Sequence, residues 1–514
     1  MWQVTRLGSP ARCAAALMAR EGADFFGINP IHARGAALDG ISPYSPSSRT
    51  AVEPGHIDPR LVPGFETCAS AQAMLAEAAP AIEAARGAPL IDYALRDSVA
   101  APALRALWAH HTGSPGSAAM RAFAQWQAQQ PDDLTRFALF EALSLRLGSD
   151  WRWWGPDHDH PGAPGVAAFA EAHAEEVAYH LWLQWLADTQ IAAAQSQARA
   201  SGMALGLYLD LAVGVRPDGA DAWAHPAAYA RGVSLGAPPD HLAPGGQSWG
   251  LAPLSPEGLR ASAFAPFRAM LRAAMRHAGL VRIDHVLGFQ RAYWVPEDGS
   301  TGGYVAYPLE AMLALTRLEA QRLGCVVVGE DLGTVPDGLR KALSQSGLYG
   351  CAVMQFEFEG SSFRPPRRYR EEVLASWGTH DTPTVRGWLS GRDIDWRARI
   401  GGGFDEAAAR ANREADRAAL HDLLRREGRD TSDDDAIADT VHALLADSPA
   451  AMVAVSLDDA LGAVEQPNLP GTVDQHPNWR RRLPVTLDAV DSAPGLKRIS
   501  GIMAAARPEP EEQG

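Results

Sequence analysis

The sequence predicts an α/β fold, a (β/α)8 barrel carrying mostly helical insertions. Three observations predict it: short continuous apolar runs, Ala-rich helical stretches between them, and carboxylates at the ends of several runs. The runs are Asp24–Ile28, Met203–Leu209, Leu280–Ile283, Cys325–Gly329, Ala352–Phe356, Val373–Trp377 and Met452–Leu457. Apolar runs bounded by turn residues suit strands buried on both faces, as parallel strands are. They number seven rather than eight. The stretch Leu259–His277 has apolar residues at helical spacing and predicts a single crossover helix.

The chain of 514 residues exceeds a plain barrel of roughly 250 residues. The surplus is expected as insertions in one catalytic domain over 1–506. A long interval separates the first two runs. Within it, Tyr44–Leu90 is rich in Pro, Gly and Ser, and 90–200 is mostly helical with tryptophans at Trp151, Trp153 and Trp154. Residues 44–200 therefore read as an inserted, largely helical subdomain beside the barrel mouth. Residues 400–448 read as a charged helical insertion without a core of its own, and 507–514 as a disordered tail.

Acidic residues outnumber basic ones 61 to 46, giving a formal charge of −15. Such a surface repels phosphate backbones and anionic lipid, so nucleic acid and membrane are not expected partners. The four cysteines, Cys13, Cys68, Cys325 and Cys351, show no CxxC spacing, which fits a reduced cytoplasm. Neither a signal segment nor a run near the ~20 apolar residues of a membrane helix is evident.

Chemistry is concentrated at three run ends. Asp284 follows Val281-Arg282-Ile283, Glu330 follows Val328-Gly329, and Asp381 follows Trp377-Gly378-Thr379-His380. Their separations are 46 and 51 residues, which suit one and two strand–helix units. In a barrel, groups at the C-terminal strand ends converge. Retaining glycosidases need such a set: an ionised carboxylate to attack the anomeric carbon and a protonated one, ~5–5.5 Å away, for the leaving oxygen. Arg282 would help keep Asp284 ionised, and His285 and His380 could donate to sugar hydroxyls. Taken singly, an Arg-x-Asp at a strand end is also what a structural ion pair or helix cap looks like. A metal site is a weaker reading of the same acids, since neither HExxH nor His-x-His occurs.

Several motifs together resemble the 4-α-glucanotransferase (amylomaltase) family, glycoside hydrolase family 77. They are Gly206-Leu-Tyr-Leu-Asp-Leu-Ala-Val-Gly214, Arg282 through Gly288, Gly329-Glu-Asp-Leu-Gly-Thr-Val-Pro336, Gly378-Thr-His-Asp-Thr-Pro-Thr384, Asn468-Leu-Pro-Gly-Thr472 and Pro477-Asn-Trp-Arg480. The resemblance runs from Trp2 to about Leu483. It implies Asp284 as nucleophile, Glu330 as general acid/base and Asp381 as transition-state stabiliser. Arg282 and His380 would line the cleaved sugar's subsite, with Tyr44 packing against a sugar. The stretch 236–253, including Gly236-Ala-Pro-Pro-Asp240 and Gly246-Gln-Ser-Trp-Gly250, matches an acceptor-side loop. There Asp221, Gln247 and Trp249 would contact glucan, with Asp240 and Trp249 equally readable as loop-fixing residues. Asn468 and Gly471 match a rim loop, where Gly471 could serve backbone geometry alone. The implied partners are maltooligosaccharides and α-1,4-glucans, and the implied chemistry needs neither metal nor organic cofactor.

The beginning of the chain departs from the family pattern. A first strand and a Trp-Gly-Ile-Gly-Asp-like segment are expected there, and Trp2-Gln-Val-Thr-Arg6 stands in that place. The first barrel strand is thus expected to be absent, which would account for seven strands. An α-glucan hydrolase, or a glucan-binding remnant with impaired catalysis, stands as the alternative to a transferase.

Overall fold

The computed structural model describes residues 9–37, 40–239 and 246–508. The Trp2–Arg6 segment, Asp240 and residues 509–514 of the predicted tail lie outside them.

All seven apolar runs contain strands, and all pair in parallel. They are β1 (Phe25–Gly27), β2 (Gly206–Leu211), β3 (Leu280–Ile283), β4 (Val326–Gly329), β5 (Gly350–Val353), β6 (Val373–Ser376) and β7 (Met452–Ala454). The first four form one sheet and the last three another, each in sequence order. A parallel bridge between Val328 and Tyr349 joins them, with Gly329 N donating to Tyr349 O at 2.8 Å. Among the described residues, no strand pairs with the outer edge of β1 or of β7. Two boundaries shift from the sequence reading. Strand β2 starts at Gly206, whose φ of 81° turns the chain out of the preceding loop, and Met354–Phe356 leaves β5 as a 3-10 turn.

Side chains alternate in direction along a strand. One set of side chains from all seven strands meets in a single cluster: Phe25, Tyr208, Leu280, Val328, Cys351, Leu374 and Met452. The other set, including Leu207, Leu209, Leu211, Val281, Ile283 and Val327, packs against helices Ser9–Arg20, Ala265–Met275 and Leu309–Leu323. The strands are buried on both faces, which is why they read as unbroken apolar runs.

The predicted crossover helix is two helices, Pro256–Ala261 and Ala265–Met275. Ser262 Oγ donates back to Gly258 O and Leu259 O at 2.8 and 3.2 Å, closing the first. Ala263 and Phe264 then take left-handed φ values of 49° and 60°, and Pro266 starts the second. Pro266 was the sequence signal for the break, because proline fits the first helical turn and not a helix interior.

Residues 44–200 are largely helical, and helices Tyr93–Thr112, Asp132–Leu147 and Ala174–Ala200 share a core with Trp108, Phe140, Leu143 and Trp182. Helix Ala174–Ala200 belongs to two cores: Trp182 and Leu186 sit in this helical one, while Ile191 and Ala194 pack on the strands. Helices Glu406–Arg426 and Asp434–Ala446 bury Leu420, Leu424, Val441 and Leu445 against Val373, Ala375 and Trp377. Arg507, placed in the tail by the sequence, donates to Ala446 O and Ser448 O at 3.0 and 3.1 Å and so is tied to this body.

The sequence did not foretell an antiparallel sheet of Gln247–Ser248, Val233–Ala237, Arg291–Pro296 and Gly303–Ala306. Its strands are short and carry mixed polar and apolar residues. It turns part of the predicted acceptor-side stretch into a hairpin.

Gly279, just before β3, donates its amide to Leu207 O at 3.0 Å, and an added Cβ would lie 1.7 Å from Leu205 O. That oxygen is backbone and cannot swing away. Gly279→Ala should therefore force β2 and β3 apart and cost about 1–3 kcal/mol, read as a lowered thermal midpoint. An unchanged midpoint would contradict this packing.

Candidate active site

Strand register places the first charges. Asp210 on β2 is the direct partner of Arg282 on β3, and Arg282 is the partner of Val328 on β4. With a period of two, Tyr208 and Asp210, Leu280, Arg282 and Asp284, and Val328 and Glu330 share the inward side. A layer of Tyr208, Leu280 and Val328 thus lies beneath a charged layer at the C-terminal strand ends.

Arg282 is the centre of that layer and is buried, with 6% of its surface exposed. One guanidinium nitrogen contacts both oxygens of Asp210 at 3.0 Å and Asp284 Oδ1 at 2.9 Å. The other lies 4.0 Å from Glu330 Oε2. Three of the four acids at these strand ends are therefore gathered by one cation. Burial alone would lower the pKa of this guanidinium, but Asp210 and Asp284 outweigh it and hold Arg282 charged.

Glu330 is fixed by the backbone that follows it and its neighbouring strand. His285 N donates to Oε2 at 2.9 Å, and Leu332 N donates to Oε1 at 2.8 Å. His285 reaches this position because its φ is 47°, a left-handed turn directly after Asp284. Burial, aided by the charge of Asp284 and opposed by Arg282, pushes the Glu330 carboxyl up to about 7. Asp210 is also raised by burial, against the pull of Arg282. Burial lowers the pKa of His285, leaving a neutral imidazole near pH 7.

Asp381 lies on the segment after β6. Its side chain is 44% exposed, the most open of the acids in the site. His380 Nε2 is 3.4 Å from Oδ2, and Asn468 Nδ2 donates to Oδ1 at 2.6 Å. The surrounding protein works to raise this acid, yet His380, Asn468 and Arg282 outweigh it and pull Asp381 down to about 2. Because its carboxylate opens to solvent, ionisation is the direction the exposure also favours. Asn468 is held in turn by its amide, which donates to His380 O at 3.2 Å.

Tyr44 joins the two groups. Its hydroxyl donates to Asp210 Oδ2 at 2.5 Å and lies 3.2 Å from His380 Nδ1. Its ring stacks on His380 at 4.4 Å between centroids. Trp249 meets the site from the other side, packing edge-on against His285 at 5.2 Å, with its indole N–H donating to Gln247 Oε1 at 3.1 Å.

The structure thus brings Asp284, Glu330, Asp381, Arg282, His285, His380, Tyr44 and Asn468 together, with Gln247 and Trp249 joined through His285. Asp221 stands apart. Its buried carboxylate accepts from Arg49 N at 2.8 Å and Thr50 Oγ1 at 3.5 Å, fixing the strand Ser48–Val52. Sugar contact by Asp221, implied by the resemblance, finds no open carboxylate here. Gly471 takes a φ of 80°, the left-handed geometry that suits glycine.

Three participants were missed in the sequence. Asp210 carries the same signal as the other acids, standing directly after the run Met203–Leu209, yet it was not singled out. Trp479 backs Tyr44 and His380 at 5.3 and 5.4 Å, and Tyr93 donates to its carbonyl at 2.6 Å. No local pattern couples residues that far apart. Among the described residues, no group of His, Cys, Asp and Glu has metal-binding geometry.

Comparison with known proteins shows the family to which the chain belongs. The glycoside hydrolase family 77 model, described as 4-alpha-glucanotransferase, matches residues 2–487. The chain is 37% identical over 517 aligned residues to the 4-alpha-glucanotransferase of Mycobacterium tuberculosis, covering 96% of this chain and 70% of that one. The crystal structure of amylomaltase from Corynebacterium glutamicum superposes with a TM-score of 0.86 at 30% identity, covering 98% of this chain and 74% of that chain. An amylomaltase from Streptococcus agalactiae, solved in complex with acarbose, shares the fold at a TM-score of 0.78 and 19% identity.

The raised Glu330 carboxyl has a consequence for stability. The folded state holds this proton up to about 7, whereas the unfolded chain releases it near the ordinary 4.5. Stability linked to this group is full below pH 4.5 and is lost as pH rises through 7. Glu330→Gln removes the linkage, so its melting temperature should rise relative to the parent between pH 5 and pH 8, by the equivalent of about 3 kcal/mol at most. A difference between the two proteins that is flat with pH would contradict a buried, protonated Glu330.

Proposed function

This chain belongs to the 4-alpha-glucanotransferase family and is an enzyme of glucan transfer, and from that premise we propose that it works by retention through a covalent glucosyl-enzyme on Asp284. The observation that carries the mechanism is Arg282 spanning Asp284 at 2.9 Å and Glu330 at 4.0 Å, one acid ion-paired and the other pushed up to about 7. Retention needs such a pair, an ionised nucleophile close to a protonated acid.

In the proposed reaction an α-1,4-glucan lies across the strand ends. Asp284 attacks the anomeric carbon as Glu330 gives its proton to the departing glycosidic oxygen, inverting that carbon. Glu330, now a carboxylate, takes the proton from the 4-hydroxyl of an incoming glucan, and that oxygen displaces Asp284 with a second inversion. Asp381, held ionised beside His380, faces the ring where positive charge develops. Tyr44 offers a ring face to the sugar, and His285 and His380 offer imidazole nitrogens to its hydroxyls. Trp249 and Gln247 border the acceptor side. Excluding water there favours transfer over hydrolysis.

The proposal also covers architecture and place. The single inward cluster shared by all seven strands supports a barrel whose seam lies between β7 and β1, one catalytic domain with residues 44–200 and 400–448 as insertions. Among the described residues, no helix is long and apolar enough to cross a membrane, and the four cysteines are free, which supports a place in the cytoplasm.

Incubation with maltotriose, with products separated by chromatography, tests the reading. Glucose plus a ladder of longer maltooligosaccharides is expected; glucose and maltose alone would make it a hydrolase. Asp284→Asn and Glu330→Gln should each lower kcat by about 100-fold or more while the protein stays folded. The alkaline limb of kcat/KM should fall near pH 7, as Glu330 loses its proton. Wild-type turnover in either variant would overturn the assignment.

A further inference from the structure

Trp153 is 85% exposed, the most exposed large apolar side chain among the described residues. It is not a loosely hung side chain. It sits in a 3-10 turn, Trp151–Trp153, whose neighbours are anchored on both sides. Trp151 is buried, and its indole N–H donates to Pro217 O at 3.1 Å; Trp154 is buried, and its indole N–H donates to Gly148 O at 2.8 Å. Asp150 accepts from Arg152 N, Nε and Nη2 at 3.1, 2.8 and 2.7 Å. The turn that carries the indole is therefore held on both sides while the ring itself remains in water.

The position of this turn is informative. Pro217, which receives Trp151, follows shortly after the C-terminal end of β2, so the turn lies on the face that carries the acids. The guanidinium of Arg231 covers the Trp151 ring at 5.2 Å, and Arg231 leads directly into the strand Val233–Ala237. That strand pairs with Gln247–Ser248, the hairpin next to Trp249. The turn that carries the exposed indole is thus tied, through Arg231, to the strand leading into the hairpin that borders the acceptor side.

We propose that Trp153, with Arg152 and Asp150 at its edge, is an accessory platform for α-1,4-glucan that engages chains extending past the catalytic cleft; this rests on the glucan-transfer reading above. A flat aromatic face matches the apolar C–H face of a pyranose, and the anchored turn limits the backbone freedom lost on binding. Arg152 and Asp150 supply the donors and acceptors that sugar hydroxyls require. A protein partner would instead need a broad apolar patch of several hundred Å², whereas this ring is bordered by charge. On this proposal a long chain engages the acids and the platform together, whereas maltotriose engages the acids alone.

The test uses the full chain in three forms: parent, Trp153→Ala and Trp153→Phe. Binding of soluble amylose is measured by titration in the Glu330→Gln background, where turnover is suppressed, and maltotriose disproportionation is measured in the otherwise unaltered protein. Trp153→Ala should weaken amylose binding about fivefold, Trp153→Phe should retain most of it, and maltotriose kcat/KM should be unchanged in both. Amylose binding by Trp153→Ala equal to the parent's would overturn the proposal. So would a change confined to self-association in sedimentation, which would assign the ring to a protein contact. Failure of the parent itself to redistribute maltotriose, with amylose binding still sensitive to Trp153, would overturn the transfer reading and leave the platform standing.

Discussion

A single buried cation, Arg282, is the constraint on which the rest of the site depends. A guanidinium buried on a parallel sheet is costly unless its donors are met by acceptors, and here Asp210 and Asp284 meet it at 3.0 and 2.9 Å. Removing one member of such a buried set typically costs about 3–5 kcal/mol, since the others are left unpaired. The same cation divides the labour between the carboxylates. Two of them take its short contacts, and Glu330 at 4.0 Å is left in a buried position beside another negative charge, where it holds its proton.

The strands alone do not complete the site. The segment between β1 and Ser48–Val52 brings Tyr44 over the strand ends, and it is fastened to the inserted helices. Ala36 N donates at 2.8 Å to Glu141, a carboxyl on helix Asp132–Leu147 that burial pushes up to about 8. Arg34 N and Nη2 donate to Glu53 at 2.9 and 3.1 Å. On the opposite side, the segment after β7 delivers Asn468 to Asp381 and Trp479 to Tyr44 and His380. The inserted core and the late segment meet where Tyr93 donates to Trp479 O. Tyr44 is thus positioned by contacts that originate more than 300 residues apart along the chain.

The parts of this arrangement that were legible in the sequence are those with local causes. Seven strands could be read because burial on both faces leaves an unbroken apolar run. The run-end acids Asp284, Glu330 and Asp381 could be read because a carboxylate immediately after such a run is conspicuous. Asp210, directly after the run Met203–Leu209, was legible by the same rule but was passed over; the strand in fact continues through it to Leu211. The break at Ser262–Phe264 was masked by continued apolar spacing, although Pro266 marked it. The antiparallel sheet beside the acceptor side depends on pairing between Val233–Ala237 and Arg291–Pro296, and neither segment has a strong strand pattern of its own. The resemblance supplied roles for Trp249 and Asn468 that spacing could not. It also carried over Asp221, whose carboxylate the fold uses instead to hold the Arg49 amide.

The central claim is that Asp284, held by Arg282, forms the bond to the sugar while Glu330 manages protons. The most direct test supplies Glu330→Gln protein with α-maltosyl fluoride, whose leaving group needs no protonation, so glycosylation proceeds while transfer to an acceptor is blocked. Intact-mass measurement followed by peptide mapping should find one maltosyl group, attached to the peptide containing Asp284. An adduct on Asp381 or Asp210, or a folded protein that releases fluoride without ever acquiring the maltosyl mass, would contradict the account.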